Sequence, residues 1–178
     1  MYLRPYKKED AKTILSWCRN EEIFRKWTSD RYDRYPITED DMNHKYLELN
    51  GDCSEPDNFY PMTACDEDGI VGHFILRYTG GDHRILRIGF VIVDDKKRGC
   101  GYGRQMIGLA LEYAFRIAGA ERVTIGVFEN NEPAYKCYKA AGFRDVPQER
   151  EEICAFFGER WRIKELEADK ISFENGIR

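Results

Sequence analysis

Six consecutive residues, Arg98-Gly99-Cys100-Gly101-Tyr102-Gly103, concentrate the chemistry of this chain. They follow the apolar run Ile88-Gly89-Phe90-Val91-Ile92-Val93. They open a helical pattern of Tyr102, Met106, Leu109, Ala110, Tyr113, Ala114 and Ile117. A strand that enters a glycine-rich turn and then a helix can hold a phosphate. Small residues let backbone N–H groups approach the anion, and the helix N-terminus adds about half a positive charge. The spacing narrows the ligand. A dinucleotide fingerprint needs Gly-x-Gly-x-x-Gly, and Arg104 stands where its third glycine belongs. A P-loop needs Gly-Lys-Ser/Thr, which this segment lacks. What is left is Arg-x-x-Gly-x-Gly. Read alone, a turn without a ligand explains it equally well.

A second constellation lies downstream, where residues 131–143 read Asn-Glu-Pro-Ala-Tyr-Lys-Cys-Tyr-Lys-Ala-Ala-Gly-Phe. Asn131 is placed to cap a helix, Pro133 falls in its first turn where a missing N–H costs nothing, and Gly142 suits a left-handed end. Tyr138 stands one turn after Ala134 on the same face. It reads in two ways: as a core aromatic in the apolar stripe 134, 137, 138 and 141, or as a proton donor, since a phenol has a pKa near 10. Together, Arg-x-x-Gly-x-Gly and the segment Asn131, Ala134, Tyr138, Gly142, Phe143 resemble the two motifs of the Gcn5-related N-acetyltransferases (GNAT), in that family's order and with a helix and a strand between them. The resemblance is specific over about residues 59–145.

The resemblance implies a ternary-complex enzyme in which acetyl-CoA donates an acetyl group to a primary amine, with no metal. Arg98, Gly99, Gly101 and Gly103, with the N–H groups of Cys100, Tyr102 and Arg104, are then expected to hold the pyrophosphate. Val91, Ile92 and Val93 are expected to meet the pantetheine arm, with an N–H near Val91 polarising the thioester. Tyr138 becomes the candidate acid for the leaving thiolate, and Asn131 a cap that also bonds the arm. Many members carry a strand glutamate as base, but Leu86-Arg87-Ile88-Gly89-Phe90 has no carboxylate. Glu129 is the candidate in its place, with His73 behind it, and each also reads as an ordinary residue. The missing carboxylate keeps a second possibility open: a non-catalytic module that senses acyl-CoA or binds a partner.

The acceptor is less legible. Arg4-Pro5, Asp10, Trp17, Asn20-Glu21-Glu22, Trp27 and the late Gly158-Glu159-Arg160-Trp161 loosely resemble the branch that acetylates ribosomal-protein N-termini. A peptide N-terminus and a small amine both stay open. Trp17 falls off the apolar stripe of its helix, as a cleft residue or a surface residue would. Asp30, Asp33, Glu39, Asp40 and Asp41 either attract a cation or form a solvated face.

These residues need elements to position them. The pattern predicts a strand at 2–4, helices at 8–20 and 21–28, and a Thr38-capped helix to Leu49. A polar loop follows at 51–58, then strands at 59–65, 70–78 and 84–93. A helix at 102–118, a strand at 122–128, a helix at 132–141 and strands near 150–156 and 160–167 about a Gly158-Glu159 turn complete the chain. This is an α/β order, read as one GNAT-like domain over 1–178. The resemblance implies a mixed, mostly antiparallel sheet with a splay between two parallel strands, flanked by helices. Its 178 residues, 42% hydrophobic, suffice for one core. No apolar run approaches the 18 residues of a membrane span. Six scattered cysteines suggest reduced, cytoplasmic thiols, and three isolated histidines offer no metal cluster. A net charge of −4 argues against a nucleic-acid partner. A homodimer is compatible with all of this.

Overall fold

The computed structural model describes residues 1–53 and 55–176. Ser54, within the expected loop at 51–58, and residues 177–178, at the end of the expected domain, lie outside the described residues. Strand β1 (Tyr2–Pro5) is followed by helices α1 (Asp10–Ser16), α2 (Glu21–Thr28) and α3 (Glu39–Asn43), which continues as a wider turn through Glu48. Next come β2 (Tyr60–Asp66), β3 (Gly69–Thr79), β4 (Asp82–Val93) and α4 (Tyr102–Glu112), also prolonged by a wider turn to Ile117. The chain ends with β5 (Arg122–Phe128), α5 (Glu132–Ala140), β6 (Arg144–Asp145), β7 (Glu152–Phe156), β8 (Glu159–Asp169) and α6 (Lys170–Gly176).

All eight strands join one sheet in the order β1-β2-β3-β4-β5-β8-β6, with β7 on β8. Every pairing is antiparallel except β4 with β5, which is parallel and runs only from Ile85↔Arg122 to Ile88↔Ile125. Beyond Ile88 the two strands part. The expected mixed sheet with a splayed parallel pair is therefore present.

Two cores cover the two faces. Leu86 and Ile88 of β4 pack with Met106, Ile107, Ala110 and Leu111 of α4, whereas Ile92 packs with Ile14, Phe24 and Met42 of the first three helices. Side chains alternate faces along a strand, so residues 86, 88 and 92 belong on one face of a regular strand. A bulge breaks the parity. The register jumps from Ile75↔Gly89 to His73↔Ile92, and Phe90 adopts a left-handed conformation (φ 49°). Val91 and Val93 thereby turn to the α4 face. Alternation alone did not predict this bulge.

Some elements differ from expectation for local reasons. The helix expected at 8–20 stops at Ser16, because the Asn20 side chain accepts the Ile23 N–H and starts α2 anew. The Thr38 cap is present as a reciprocal capping box with Asp41. The late hairpin turns at Phe157-Gly158, one residue before the expected pair, with positive φ at both residues (55° and 77°), the two-residue geometry that suits strand twist. Strand β6 is too short for alternation to show. Helix α6 is not among the expected elements, although Asp169, which accepts from the Ser172 N–H and hydroxyl, is an N-terminal signal.

Asp10 ties β1 and β2 to α1. Its buried carboxylate accepts two bonds from Arg4 (2.7 and 2.8 Å), one from the Thr63 hydroxyl and one from the Lys7 N–H. Burial alone would raise its pKa, but these donors outweigh it and hold the carboxyl below its ordinary value. A lowered folded pKa gives stability that is full above the unfolded value and lost as pH falls. Asp10→Ala is expected to cost about 2–3 kcal/mol near neutrality by orphaning Arg4 and Thr63. Thermal melts of both proteins check this. The gap should narrow as pH falls below about 4.

Candidate active site

The glycine-rich turn sits where β4 ends and α4 begins. Asp94 accepts the Lys96 N–H, and its carbonyl accepts the Lys97 N–H, so the chain folds back before Arg98. Gly101 adopts φ 84°, a left-handed conformation, at the cap position of α4. The N–H groups of Tyr102, Gly103 and Arg104 fall in that first turn, where a helix offers no carbonyl partners. Gly103 serves a different purpose: a Cβ there would meet Cys137 Sγ at 3.2 Å, so its absence lets α4 approach α5.

Two expectations for this loop are adjusted. Arg98 is bound to the protein itself, through Nε to the Val93 carbonyl (3.1 Å) and Nη2 to the Trp17 carbonyl (3.2 Å). It therefore clamps the turn to β4 and α1 while its charge still lines the adjoining cavity. The Cys100 N–H is directed to the Lys97 carbonyl at 3.4 Å, which leaves it less free than the helix donors.

Two cavities meet at the splay. The first, about 370 Å³, runs from Arg98, Gly99 and Gly103 past Val91, Ile92 and Val93 to Tyr138. The second, about 160 Å³, lies between the end of α2, strands β3 to β5, and β7. Lys26, Trp27, Val91, Asn131 and Tyr138 line both. From Gly89 onward the β4 edge facing β5 has no strand partner, so a polar chain in the first cavity can bond it as an added strand does.

Trp27 holds this junction. Its indole N–H donates to the Phe90 carbonyl at 2.8 Å, at the bulge that re-aims Val91. A left-handed non-glycine residue costs roughly 1–2 kcal/mol, so the bond helps keep the bulge in place. Sequence reasoning noticed Trp27 only through the family's opening pattern, because its partner is 63 residues away. Trp27→Phe keeps an aromatic ring and removes the donor. We expect kcat to fall about tenfold with the KM for acetyl-CoA little changed. Steady-state kinetics well below the melting temperature check this, and an unchanged kcat would assign Trp27 to packing alone.

Tyr138 is buried, and burial, reinforced by the neighbouring Cys137 thiol, pushes its phenol pKa up. It stays protonated at neutral pH. Asn131 stands at the cap position just before α5, but its side chain makes no capping bond. The expected cap is therefore corrected. The side chain stays uncommitted beside both cavities.

Other candidates fall outside. Glu129 is exposed at the end of β5, 4.0 Å from Lys164, and lines neither cavity. The sequence places it near the site only because it follows β5, and the chain turns it toward β8. His73 is fully buried, bonded through Nε2 to the Tyr46 hydroxyl at 3.1 Å, and burial pushes its pKa down to about 3. A group that weakly basic does not deprotonate an ammonium. Trp17 is neither cleft nor surface but core, 3% exposed among the first helices. Trp161 lines neither cavity itself but packs behind the second one, against Phe128 and Ile163, which line it, and under Lys26. Asp41 is spent in the capping box and on Arg34, and of the five expected N-terminal acids only Asp30 lines a cavity. All six cysteines are free thiols. Among the described residues no helix is long and apolar enough to cross a membrane, and no cluster of metal-ligating side chains occurs.

Comparison with known proteins follows this geometry. The family model of the acetyltransferase (GNAT) domain matches residues 1–144. The N-acetyltransferase YnaD of Bacillus subtilis (strain 168), itself uncharacterized, is 28% identical over 108 residues. The match covers 61% of each chain, so this chain spans about three-fifths of the length of that curated relative. The crystal structure of spermidine N-acetyltransferase from Vibrio cholerae with CoA and spermine superposes with a TM-score of 0.80 at 21% identity, covering 98% of both chains. A mutant of the Vibrio cholerae spermidine N-acetyltransferase gives 0.77, also at 21% identity and over 100% of both chains. At this identity the structural likeness establishes the fold.

Proposed function

The chain belongs to the GNAT acetyltransferase family, and on that premise we propose that this N-acetyltransferase carries the acetyl group of acetyl-CoA to the primary amine of a small molecule. The observation that carries the reading is the junction of two cavities at Val91, Asn131 and Tyr138, one leading to the glycine turn and the other bounded by α2 and β7. The residues fit a CoA thioester. The α4 N-terminus offers backbone donors for the pyrophosphate, the splayed β4 edge offers backbone partners for the arm's amides, and Tyr138 faces the place where the two cavities join. A small acceptor is favoured over a peptide N-terminus by the size of the second cavity, about 160 Å³, and by the spermine-bound relative.

In this reading the Val91 N–H stabilises the oxyanion as the neutral amine attacks the thioester carbon and the N–C bond forms. When the C–S bond breaks, Tyr138 gives its proton to the thiolate. The phenolate recovers a proton, by way of solvent, from the acylated nitrogen. No side-chain base is needed at the splay. Lys26, Arg31, Arg77 and Arg87 all line the second cavity, and cationic neighbours lower the pKa of an arriving ammonium. Acetyl-CoA offered with pools of small amines and of short peptides tests the reading by mass spectrometry. Acetylated small amines support it. Acetylated peptides alone would move the acceptor to protein N-termini, and an intact CoA-binding protein with no product would point to a sensor.

A further inference from the structure

The charges around the second cavity are the wrong way round for a polycation. Arg77 of β3 and Arg87 of β4 are direct cross-strand partners, and both line this cavity. Like charges placed opposite each other on a sheet destabilise it. Arg87 is compensated, since Glu165 of β8 accepts two bonds from its guanidinium at 2.6 and 2.7 Å. Lys26 is compensated by Glu22 at 2.7 Å. Arg77 and Arg31 have no carboxylate partner among the described residues. Arg77 is half-buried, and desolvation lowers its pKa; the neighbouring Cys53 thiol opposes the shift, and repulsion from Arg87 and Arg31 adds to it. Glu152 adds to the compensation of Arg87, and Arg31 and Asp30 are both exposed at the rim, where water and salt screen them, which leaves Arg77 as the half-buried charge without a carboxylate.

We propose that the acceptor carries a carboxylate as well as its amine, and that Arg77, flanked by Arg31 and Arg87, receives that carboxylate. This rests on the acetyl-transfer reading above. A bidentate carboxylate on Arg77 removes the like-charge conflict across β3 and β4 and replaces water lost on burial. It also sets the amine's direction. Val91 stands four residues along β4 from Arg87, less than the roughly 13 Å of a regular strand because the bulge at Phe90 shortens the rise, a span that an arginine side chain and a small amino acid bridge together. A polyamine would bring two or more positive charges to the same guanidinium groups.

The test is a set of steady-state rates for wild type, Arg77→Met and Arg77→Lys. The acceptors are the common L-amino acids and γ-aminobutyrate, each beside its amide, and spermidine. Wild type is expected to prefer at least one carboxylate acceptor over its amide by tenfold or more in kcat/KM. Arg77→Met should raise the KM for that acceptor about tenfold or more, change the KM for the amide far less and that for acetyl-CoA not at all, and gain about 1–3 °C in Tm as the cross-strand repulsion disappears. Arg77→Lys should keep part of the preference. Because the acetyl-CoA KM reports folding, a loss confined to the carboxylate acceptor is a binding effect. Spermidine or the amides preferred by wild type, or a Met variant indifferent to the carboxylate, would overturn the carboxylate site while leaving acetyl transfer standing. Transfer to no amine at all would overturn the transfer reading and this inference with it.

Discussion

Tyr138→Phe is expected to bind acetyl-CoA as tightly as wild type and to turn over about 10²-fold more slowly, the usual effect of removing one positioned proton donor. The substitution separates the two meanings of this residue. As a core aromatic, Tyr138 packs against Phe143, with ring centroids 6.2 Å apart, inside the cluster formed by α4 and the sheet. Phenylalanine keeps that ring and its volume, so stability should hold within about 1 kcal/mol. Only the hydroxyl is lost. A 10²-fold loss is about 2.7 kcal/mol of transition-state stabilisation, well above what packing of an isosteric ring can cause. The phenol's raised pKa keeps the donor protonated on the alkaline side of neutrality, so the defect should persist across that range. A variant as fast as wild type at every pH would remove Tyr138 from the chemistry and leave it as a packing residue.

Gly101→Glu should raise the Kd for acetyl-CoA by about 10²-fold or more while the protein stays folded. The reasoning rests on two magnitudes. The left-handed backbone at Gly101 costs a non-glycine residue roughly 1–2 kcal/mol, and a Cβ there meets nothing within 4 Å. The fold therefore tolerates the change. The carboxylate, however, lies at the N-terminus of α4, where it competes for the donors and the partial positive charge that would otherwise receive a phosphate. Gly101→Ala shares the backbone cost without the charge and should lose far less affinity. Calorimetry with CoA on the three proteins decides it. Equal affinity in the Glu variant would place the pyrophosphate elsewhere.

The two predictions draw on different kinds of information. Gly101 and Tyr138 were legible because each belongs to a short contiguous pattern whose geometry is local: a turn that needs a positive φ, and a helix face that repeats every three to four residues. For the same reason most strands and helices were placed within two or three residues. The splay was expected only through the family resemblance, since periodicity carries no information about which strands pair.

Residues whose roles depend on partners far along the chain were read poorly. Trp17 breaks its helix's apolar stripe, yet it is buried because α1 is covered on that side by other elements of the second core. Glu129 follows β5 as a catalytic acid could, but the local turn sends it toward Lys164. Arg77 and Arg87 lie in strands the pattern predicts, but only the register of β3 on β4 sets them face to face.

By itself, then, the sequence determined the local architecture of the glycine-rich turn, the helix bearing Tyr138 and the alternation of elements, because backbone conformational preference and periodicity act over a few residues. Only the tertiary structure decided the Phe90 bulge that turns Val91 to the α4 face, the Trp27 bond that braces it, and the pair of arginines beside the second cavity. Each of these arises from strand register and from packing across separations of ten to more than sixty residues, and neither propensity nor spacing along the chain encodes them.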